Sequence, residues 1–432
     1  MLDIKFLRQN PELVKENIKK KFKEEKLLLV DEVMDLDENY RKVKARCDEL
    51  RGLRNSVSKE IGVLFSKGMK EEAEKAKREV VDYNQELSRL EIKERDMSER
   101  IYDIMLKIPQ IISPETPIGR DESENVEIRR YGEPTVFDFE VPYHVDLMES
   151  FSGIDIESAR KTSGTGFYYL LGDVARVHSA ILSYARDFMI DKGFVYCIPP
   201  FMIRSDVVSG VMSFADMESM MYKIEGEDLY LIGTSEHSMI GKFIDTILPE
   251  ETLPHKLTSY SPCFRKEVGA HGIEERGVYR IHQFEKQEMI VVCRPEDSEE
   301  WYERLWNNTV EFFRSLDIPV RTLECCSGDL ADLKVRSVDI EGWSPRQQKY
   351  FEVGSCSNMG DAQARRLAIR VQGEDGRKYI AHTLNNTVVA PPRMLICFFE
   401  NNLNQDGSVT IPKALRPYMG GKEAILPKDK NC

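Results

Sequence analysis

The chain has 432 residues, of which 41% are hydrophobic and 31% are charged, and this balance excludes a disordered protein. Its length predicts two or three domains, because a single hydrophobic core rarely grows so large. No run approaches 18 apolar residues, and the N-terminal run MLDIKFLRQNPELVKENIKK lacks the apolar core of a signal peptide. We therefore expect a cytoplasmic protein without a membrane span.

Charge is unevenly distributed along the chain. Residues 1–110 hold 25 lysines and arginines against 24 acidic residues, a net charge of +1, whereas the whole chain carries −13 and the remainder therefore −14. A nucleic-acid ligand would meet less electrostatic repulsion at the N-terminal part than at the rest of the protein.

Two series of apolar residues, spaced alternately by three and four, run through the first hundred residues. The first extends from Val33 to Leu64 and the second from Ala73 to Ile104, and each contains one charged interruption. Both keep the heptad pattern of a coiled coil for more than four repeats. The spacing therefore predicts two long helices that pack against each other.

The two series mirror each other about a point between Gly68 and Met69, which predicts an antiparallel hairpin. Gly68 supplies the left-handed backbone that closes the first helix. That helix would be roughly 48 Å long at about 1.5 Å per residue. Such an arm can be a dimerisation element or a spacer, or it can offer lysines to a phosphate backbone away from a compact body. The pattern leaves these alternatives open.

Residues 108–135 break every periodicity with four prolines and two glycines, which is typical of a linker. Residues 136–432 then mix helical and strand-like patterns and predict an α+β body. We predict a helix from Gly172 to Asp191, strands at VYCIPP, DLYLIGTSE, RIHQFEKQEMIVVC and KYFEVGSCSN, and a helix at VVAPPRMLICFFENNL. The patterns GxGxxG and GxxxxGK[ST] do not occur, so any nucleotide site has another design.

Nine cysteines are scattered through the chain without a CxxC pair, and their odd number argues against a complete disulfide set. The adjacent Cys325 and Cys326 could ligate a metal. Buried free thiols are the interpretation that we favour, and no zinc is expected.

The run CFRKEVGAHGIEERGVYRIHQFEKQE (263–288) concentrates arginines, carboxylates and one aromatic ring in an acidic chain. Its two ends fit antiparallel strands in which alternate residues share a face. On the second strand one parity holds Arg280, His282, Phe284, Lys286 and Glu288. Such a face suits a nucleotide, with guanidinium on phosphate and ring on base, or it forms a structural ladder of ion pairs. The spacing alone leaves both interpretations open.

The segments FRKE and RIHQF resemble motif 2 of the class II aminoacyl-tRNA synthetases, and their surroundings resemble the seryl-tRNA synthetase family. The similarity spans nearly the whole chain in the family's order. It rests on the hairpin arm and on MLDIKFLRQNPELVKENI (1–18), LYLIGTSE (229–236), CFRKEVGAHGIEERGVYRIHQFEKQEM (263–289), CSGD (326–329), FEVGSCSNMGDAQARRLAIR (351–370), HTLNNT (382–387) and LRPYMGG (415–421).

This resemblance implies a serine site and an ATP site. The implied serine contacts are Thr234, Ser235, Glu236, Glu288 and Thr387, with Glu236 on the ammonium group and Thr387 on the side-chain hydroxyl. The implied ATP contacts are Arg265, Lys266, Glu267, Arg276, Phe284, Glu352, Val353, Gly354, Ser355 and Arg393. Glu352 and Ser355 stand where the family holds a catalytic Mg²⁺.

Within the implied ATP site, each principal residue has its own role by resemblance. Arg265 would bind the α-phosphate and Arg276 the γ-phosphate. Phe284 would stack on adenine, with Arg393 on its other face or near the γ-phosphate. Arg265, Arg393 and Glu352 are therefore the residues that the resemblance implies for catalysis.

The resemblance also implies an architecture and partners. Residues 1–107 would form a tRNA-binding domain with a coiled-coil arm at about 30–107, residues 108–135 a linker, and residues 136–432 a class II catalytic core with an antiparallel sheet. The implied activity is the ATP-dependent ligation of L-serine to tRNA(Ser), and tRNA(Sec) is a further candidate. A homodimer is implied, with the helix at 172–191 and the strand near Pro199 and Pro200 at its interface.

Two other functions are weighed against this one. A paralogue that charges a carrier protein would have little use for the arm, and a paralogue without catalysis would have no reason to keep Arg265, Glu352, Glu288 and Arg393 together. The sequence also departs from the family pattern at Pro391-Pro392 before Arg393, at Gly342 where a β-branched residue is usual, and at SGVMSF (209–214). These departures bear on efficiency and on the choice of amino acid.

Overall fold

The computed structural model describes residues 1–267 and 277–428, without the side chains of residues 214–216. The chain divides into two compact units, Leu2–Pro109 and a larger body that begins at Gln110. Within the described ranges, every helix is too short or too polar to cross a membrane.

The N-terminal unit contains the helices α1 (Ile4–Gln9), α2 (Pro11–Lys20), α3 (Leu27–Ser66) and α4 (Lys70–Met105). The long helices α3 and α4 pack against each other along the two predicted apolar series, so that Val33, Cys47, Leu50, Ala73, Leu87 and Ile104 are buried. Gly68 lies between them with φ +75°, which a residue with a side chain rarely adopts. The predicted antiparallel coiled-coil hairpin is confirmed.

Ion pairs cross the hairpin on its surface. Arg46 Nε lies 3.0 Å from Glu86 Oε1, and Arg51 Nη2 lies 2.9 Å from Glu91 Oε1. Because all four side chains are at least one-third exposed, each pair contributes at most about 1 kcal/mol. The buried apolar series therefore provides most of the stability of the arm.

The body contains nine α-helices and seventeen strands among its described residues. The helices are α5 (His144–Ser150), α6 (Ile156–Ser163), α7 (Gly172–Asp191), α8 (Ser205–Val211), α9 (Phe214–Met220), α10 (Ser235–Gly241), α11 (Ser298–Ser315), α12 (Ala362–Arg366) and α13 (Pro391–Asn401). The strands are β1 (Val126–Tyr131), β2 (Ile154–Asp155), β3 (Tyr169–Leu170), β4 (Val195–Tyr196), β5 (Met202–Ile203), β6 (Tyr230–Leu231), β7 (Ile247–Pro249), β8 (His255–Phe264), β9 (Gln283–Cys293), β10 (Val320–Glu324), β11 (Arg336–Ser344), β12 (Lys349–Asn358), β13 (Arg370–Gln372), β14 (Lys378–Ile380), β15 (His382–Val389), β16 (Val409–Thr410) and β17 (Ala424–Ile425).

An eight-stranded sheet organises the body in the order β1-β10-β11-β12-β15-β9-β8-β4. Its pairs are antiparallel except for β4, which runs parallel to β8 at one edge. The predicted α+β class with an antiparallel catalytic sheet is confirmed.

The central strand β9 is buried on both faces, and alternate residues divide between two cores. Met289 and Val291 belong to the main core, which also contains residues of α7, α11 and α13. Ile290 and Val292 belong to a second core with residues of α10. Phe284, Lys286 and Glu288, the even-numbered residues nearer the start of β9, therefore lie on the same side of the sheet as α10.

Two local predictions from the sequence were wrong. The run DLYLIGTSE is not one strand, because β6 ends at Leu231 and the hydroxyl of Thr234 accepts a hydrogen bond from the N–H of Glu236 to cap α10. The run VVAPPRMLICFFENNL is not one helix, because Val389 still belongs to β15 and α13 begins at Pro391. The predicted helix at Gly172–Asp191 matches α7 at both ends.

Candidate active site

A cavity of about 510 Å³ opens on the even-numbered side of β9. Its walls come from β9, β12 and β15, from residues that follow β8, and from the first turns of α10 and α13. It is lined by Thr234, Glu236, Arg265, Glu267, Phe284, Glu288, Glu352, Val353, Gly354, Ser355, Thr387 and Arg393, all of them sequence-predicted site residues. The tertiary fold thus brings together residues that are spread over more than 150 positions of the chain.

A guanidinium and an aromatic ring lie close together in the cavity. The carbon Cζ of Arg265 lies 5.3 Å from the centre of the Phe284 ring, and its Nε donates to the carbonyl oxygen of Gly233 at 3.2 Å. Among the described residues, the Gly233 carbonyl is the only acceptor for this guanidinium, so its two terminal nitrogens can donate to a ligand. This geometry suits a flat base beside a phosphate.

A second arginine lies across the cavity, at the first turn of α13. Arg393 Nη1 lies 3.0 Å from Glu352 Oε2 and also donates to the Glu352 carbonyl at 3.0 Å. Its Cζ lies 4.7 Å from the centre of the Tyr279 ring. Burial opposes ionisation of Glu352, but the charge and the hydrogen bond of Arg393 outweigh it and hold the pKa of Glu352 below its ordinary value. The pair is therefore fully ionised at neutral pH.

A β-bulge places Glu352 and Ser355 on the same side of the sheet. Strict alternation would put two residues three positions apart on opposite faces. On β11, however, Ile340 pairs with Gly354 and Glu341 pairs with Glu352, so Val353 is an extra residue in β12. Both polar side chains consequently line the cavity.

Asp339 of β11 lies directly opposite Ser355 and was not predicted as a site residue. Burial and the Glu352 carboxylate raise the pKa of Asp339 to about 6. Glu352, Ser355 and Asp339 thus form a group of oxygen donors, the ligand type that Mg²⁺ prefers. The donor set fits that ion.

A compact polar group from β9, β15 and the start of α10 also lines the cavity. Glu288 accepts a hydrogen bond from the hydroxyl of Thr234 at 3.2 Å and forms an ion pair with Lys286. Lys286 Nζ also lies 3.5 Å from Thr387 Oγ1. Glu288 and Thr387 are directly paired across the two strands. Each of these four side chains is less than 10% exposed, so any ligand here meets largely desolvated partners.

Glu236 lines the cavity beside this group. Burial and the Glu288 carboxylate raise the pKa of Glu236 to about 7, although hydrogen bonding to Gln363 opposes the rise. The neighbouring His237 is buried, which lowers its pKa to about 3 and keeps the imidazole neutral. Glu236 therefore provides a carboxyl group to the cavity, and His237 adds no positive charge beside it.

Among the described residues, two predicted site residues are not among those that line the cavity. Ser235 is fully buried in the first turn of α10, and Lys266 directs its Nζ to the carbonyl of Glu218 at 3.1 Å. Arg276 lies outside the described residues.

Cys325 lies close to Asp329 and Asp339, with one ligand atom of each within 4.8 Å of the others. Burial raises the pKa of the Cys325 thiol strongly, so the sulfur stays protonated at neutral pH and is a poor metal ligand. The expectation that the chain holds no zinc stays a prediction.

Two family models match large parts of the chain, and curated relatives match nearly all of it. Residues 1–112 match the model of the seryl-tRNA synthetase N-terminal domain, and residues 220–402 match that of the class II tRNA synthetase core domain (G, H, P, S and T). The serine–tRNA ligase of Methanoregula boonei is 41% identical over 427 residues, which cover 98% of this chain and 100% of the relative. This chain belongs to the seryl-tRNA synthetase family. The predicted family and the enzyme class, aminoacyl-tRNA ligase, are confirmed.

Solved structures of family members agree. The crystal structure of the Pyrococcus horikoshii seryl-tRNA synthetase complexed with ATP has a TM-score of 0.93 at 39% identity and covers 99% of this chain and 100% of that chain. The cytoplasmic serine–tRNA ligase of Naegleria fowleri in complex with AMP has a TM-score of 0.88 at 32% identity and covers 99% of each chain.

The departures from the seryl-tRNA synthetase pattern have structural reasons. Pro391 and Pro392 occupy the first turn of α13, where a missing N–H costs nothing, so they leave Arg393 in place. A Cβ on Gly342 would lie 2.6 Å from the sulfur of Cys397, so a β-branched residue does not fit there without a change in α13. Close packing against Cys397 of α13 therefore accounts for the glycine at position 342.

Several cavity residues were not assigned from the sequence, although most of them lie within the family runs. Lys286 and Asn385 line the cavity from β9 and β15, and Tyr279 lies under Arg393. Lys286 shares the parity of Phe284 and Glu288, which was the available signal. Asn385 shares the parity of Thr387 on β15, so the same alternation would have found it.

Proposed function

We propose that this chain is a serine–tRNA ligase, which activates L-serine with ATP to seryl-adenylate and pyrophosphate and then transfers serine to tRNA(Ser). The observation that carries the proposal is one cavity lined by both a guanidinium–aromatic pair and a buried carboxylate–threonine group. The first suits adenine and phosphate, and the second suits a small amino acid with a hydroxyl group.

In the first step, a carboxylate oxygen of serine attacks the α-phosphorus of ATP. The new bond joins that oxygen to phosphorus, and the bond to the β-phosphate oxygen breaks to release pyrophosphate. No protein base is needed, because the carboxylate is already ionised. Arg265 and Arg393 stabilise the charge that develops on the phosphates, and Glu236 and Thr387 hold the amino acid in line.

In the second step, a hydroxyl oxygen of the terminal ribose of tRNA attacks the carbonyl carbon of seryl-adenylate. An ester forms, the bond to the phosphate oxygen breaks, and AMP leaves while the hydroxyl proton is released. The N-terminal arm would bind the tRNA body. The rival function of a paralogue that charges a carrier protein or lacks catalysis is not favoured, because the chain keeps both the seryl-tRNA synthetase N-terminal domain and the cavity.

Exchange of radioactive pyrophosphate into ATP tests the proposal directly. With each of the twenty amino acids in turn, we expect exchange with serine far above all others, and we expect it without tRNA. Serine-dependent exchange combined with no charging of tRNA(Ser) would favour the carrier-protein paralogue. No exchange with any amino acid would favour a paralogue without catalysis.

Mg²⁺ is part of the proposal, with Glu352 and Ser355 as its ligands and Asp339 beside them. When bound there, the ion would neutralise phosphate charge and orient the leaving pyrophosphate. Glu352 is suited to this role because its side chain is 43% exposed at the cavity and its pKa is held low.

Replacing Glu352 by Gln should raise the Mg²⁺ concentration for half-maximal exchange by at least about tenfold, because an amide is a weaker ligand than a carboxylate. A Mg²⁺ titration at saturating ATP and serine measures this. Glu341→Gln is the matched control, since Glu341 is paired with Glu352 on β11 but does not line the cavity. An equal shift in both variants would indicate a general loss of negative charge and not of a ligand.

Selection of serine should depend on Thr387. Thr387→Val keeps the shape but removes the hydroxyl, so we expect a higher KM for serine and a serine-to-alanine preference that is at least about tenfold smaller. Exchange kinetics with both amino acids give the ratio. Thr322→Val, a buried threonine of β10 outside the cavity, is the control. An unchanged ratio in Thr387→Val would mean that other residues distinguish the hydroxyl.

A homodimer is also proposed. The sheet ends at the edge strand β4, and the apolar side chains around it are exposed, 63% for Val195, 73% for Ile198 and 48% for Met202. An open edge with exposed apolar residues favours association. These residues flank Pro199 and Pro200, where the family resemblance places the interface. We also propose a cytoplasmic location, because the proposed substrate is tRNA.

A further inference from the structure

The Glu236 carboxylate is held on one side only. Its Oε1 accepts hydrogen bonds from Gln363 Nε2 at 2.8 Å and from Asn385 Nδ2 at 3.0 Å. Because a carboxylate oxygen has two lone-pair positions, these two donors saturate Oε1. Within residues 1–267 and 277–428 no side chain donates to Oε2. That oxygen is the one left to accept a hydrogen bond from an ammonium group.

The amide of Gln363, on α12, has one orientation that satisfies its neighbours. The side chain is fully buried, and Nε2 also donates to the carbonyl oxygen of Val211 at 3.1 Å. Since a carbonyl oxygen only accepts, Nε2 must face Val211 and therefore also Glu236. Thr383 completes the set by donating its hydroxyl to Gln363 Oε1 at 2.7 Å. The hydrogen bonds with Val211, Glu236 and Thr383 therefore fix the direction of both amide N–H groups.

Charged groups from the neighbouring elements also act on Glu236. Burial and Glu288 of β9 raise its pKa, whereas the Gln363 hydrogen bond, Lys286 of β9 and Lys334 before β11 lower it, with a result of about 7. The carboxylate is therefore only partly ionised at neutral pH. Without the Gln363 donor the pKa would rise further, and the protonated form attracts an ammonium group much less.

We propose that Gln363 is a positioning residue for the amino group of the substrate, which it serves by holding one oxygen of Glu236 and presenting the other to the cavity. The inference rests on the proposed function, because that function places the serine ammonium group at Glu236. Gln363 itself is not among the residues that line the cavity. Because Val211 does line it, the same amide also ties the amine site to the end of α8.

Gln363→Leu and Gln363→Glu, with Thr322→Val as control, test the inference in the full-length protein. We expect both Gln363 variants to raise the serine KM in pyrophosphate exchange on the order of 10- to 100-fold at about pH 6.5. The increase should shrink at about pH 8.5, because hydroxide removes the extra proton from Glu236. The KM for ATP and the kcat at saturating serine should stay close to those of the unmodified protein. Thr322→Val removes the hydroxyl of a buried threonine of β10 outside the cavity and should leave the serine KM unchanged.

The possible outcomes separate this inference from its alternatives. A rise in the serine KM that is equal at both pH values, or that is matched by the KM for ATP, would show that Gln363 only supports the fold, and an unchanged KM would overturn the inference as well. Gln363→Glu decides if the leucine variant does not fold, since it keeps the volume and the Thr383 bond. If the unmodified protein shows no serine-dependent exchange, the proposed function fails instead.

Discussion

Shortening the arm by two heptads in each helix should leave serine-dependent pyrophosphate exchange at its full rate and reduce charging of tRNA(Ser) on the order of 100-fold. The variant lacks residues 48–61 of α3 and 76–89 of α4 and keeps the native turn at 66–70. Because 14 residues are removed from each helix, the heptad phase is kept. Leu64 and Ala73 then occupy the positions of Leu50 and Leu87 and still face each other. The arm becomes about 21 Å shorter at about 1.5 Å per residue.

This deletion changes the length of the arm without changing the net charge of the chain. Each removed segment holds three basic and three acidic residues, so the net charge stays at −13. General repulsion between the acidic body and RNA is therefore unchanged, and any loss of tRNA binding comes from lost contacts along the arm. The removed cations are Arg51, Arg54, Lys59, Lys77, Arg78 and Arg89. No residue that lines the cavity lies in the arm, so activation has no reason to change.

Binding of tRNA at several salt concentrations measures the effect beside exchange and charging. Each lost phosphate contact should flatten the plot of log affinity against log salt by roughly 0.7 to 0.9. Circular dichroism checks that the shortened hairpin is helical. Equal charging by the shortened and full-length proteins would show that the arm is a spacer or a dimerisation element, which is the alternative that its heptads left open.

Replacing Arg265 by Ala should reduce serine-dependent exchange roughly 100- to 1,000-fold, the effect of removing one preorganised donor from a developing charge. The guanidinium is held in place by its bond to the Gly233 carbonyl and by its contact with Phe284, so it needs no reorganisation when the phosphorus is attacked. If the contact forms mainly in the transition state, kcat and kcat/KM for ATP should fall together.

Arg265→Lys should recover only part of this loss, because an ammonium group cannot form the planar two-bond contact with phosphate or stack on a ring. Arg377→Ala is the matched control, since its side chain is 89% exposed and lies outside the cavity. Undiminished exchange in Arg265→Ala would remove Arg265 from the catalytic site. A loss confined to the KM for ATP would make it a ground-state binding residue.

The arm is the part of the fold that the sequence predicted most completely. Its heptads encode a local period, and a hairpin is built from contacts between two adjacent helices, so the mirror symmetry about Gly68 located the turn and paired Leu64 with Ala73. The family and the catalytic sheet followed from motifs in their order. Local patterns were less reliable near the cavity, where Thr234 ends an extended run by capping α10 instead of extending a strand.

The sequence by itself determined which residue types the cavity has available and, through alternation, that Phe284, Lys286 and Glu288 share one face of β9. Only the tertiary structure decided that Glu352 and Ser355 share a face, because the extra residue Val353 depends on how β12 pairs with β11. A bulge carries no periodic signal of its own, because it is set by the register in which two strands pair.

The tertiary structure also decided that Gln363 contacts Glu236. The sequence shows a glutamine within DAQARR and a glutamate within GTSE, 127 positions apart, and nothing local relates them. Folding places the two side chains 2.8 Å apart and buries Gln363 completely. Burial then raises the pKa of Glu236 to about 7 and makes its hydrogen-bond partners decisive. Desolvation belongs to the folded protein and not to any segment of it, so this property was beyond the reach of the sequence.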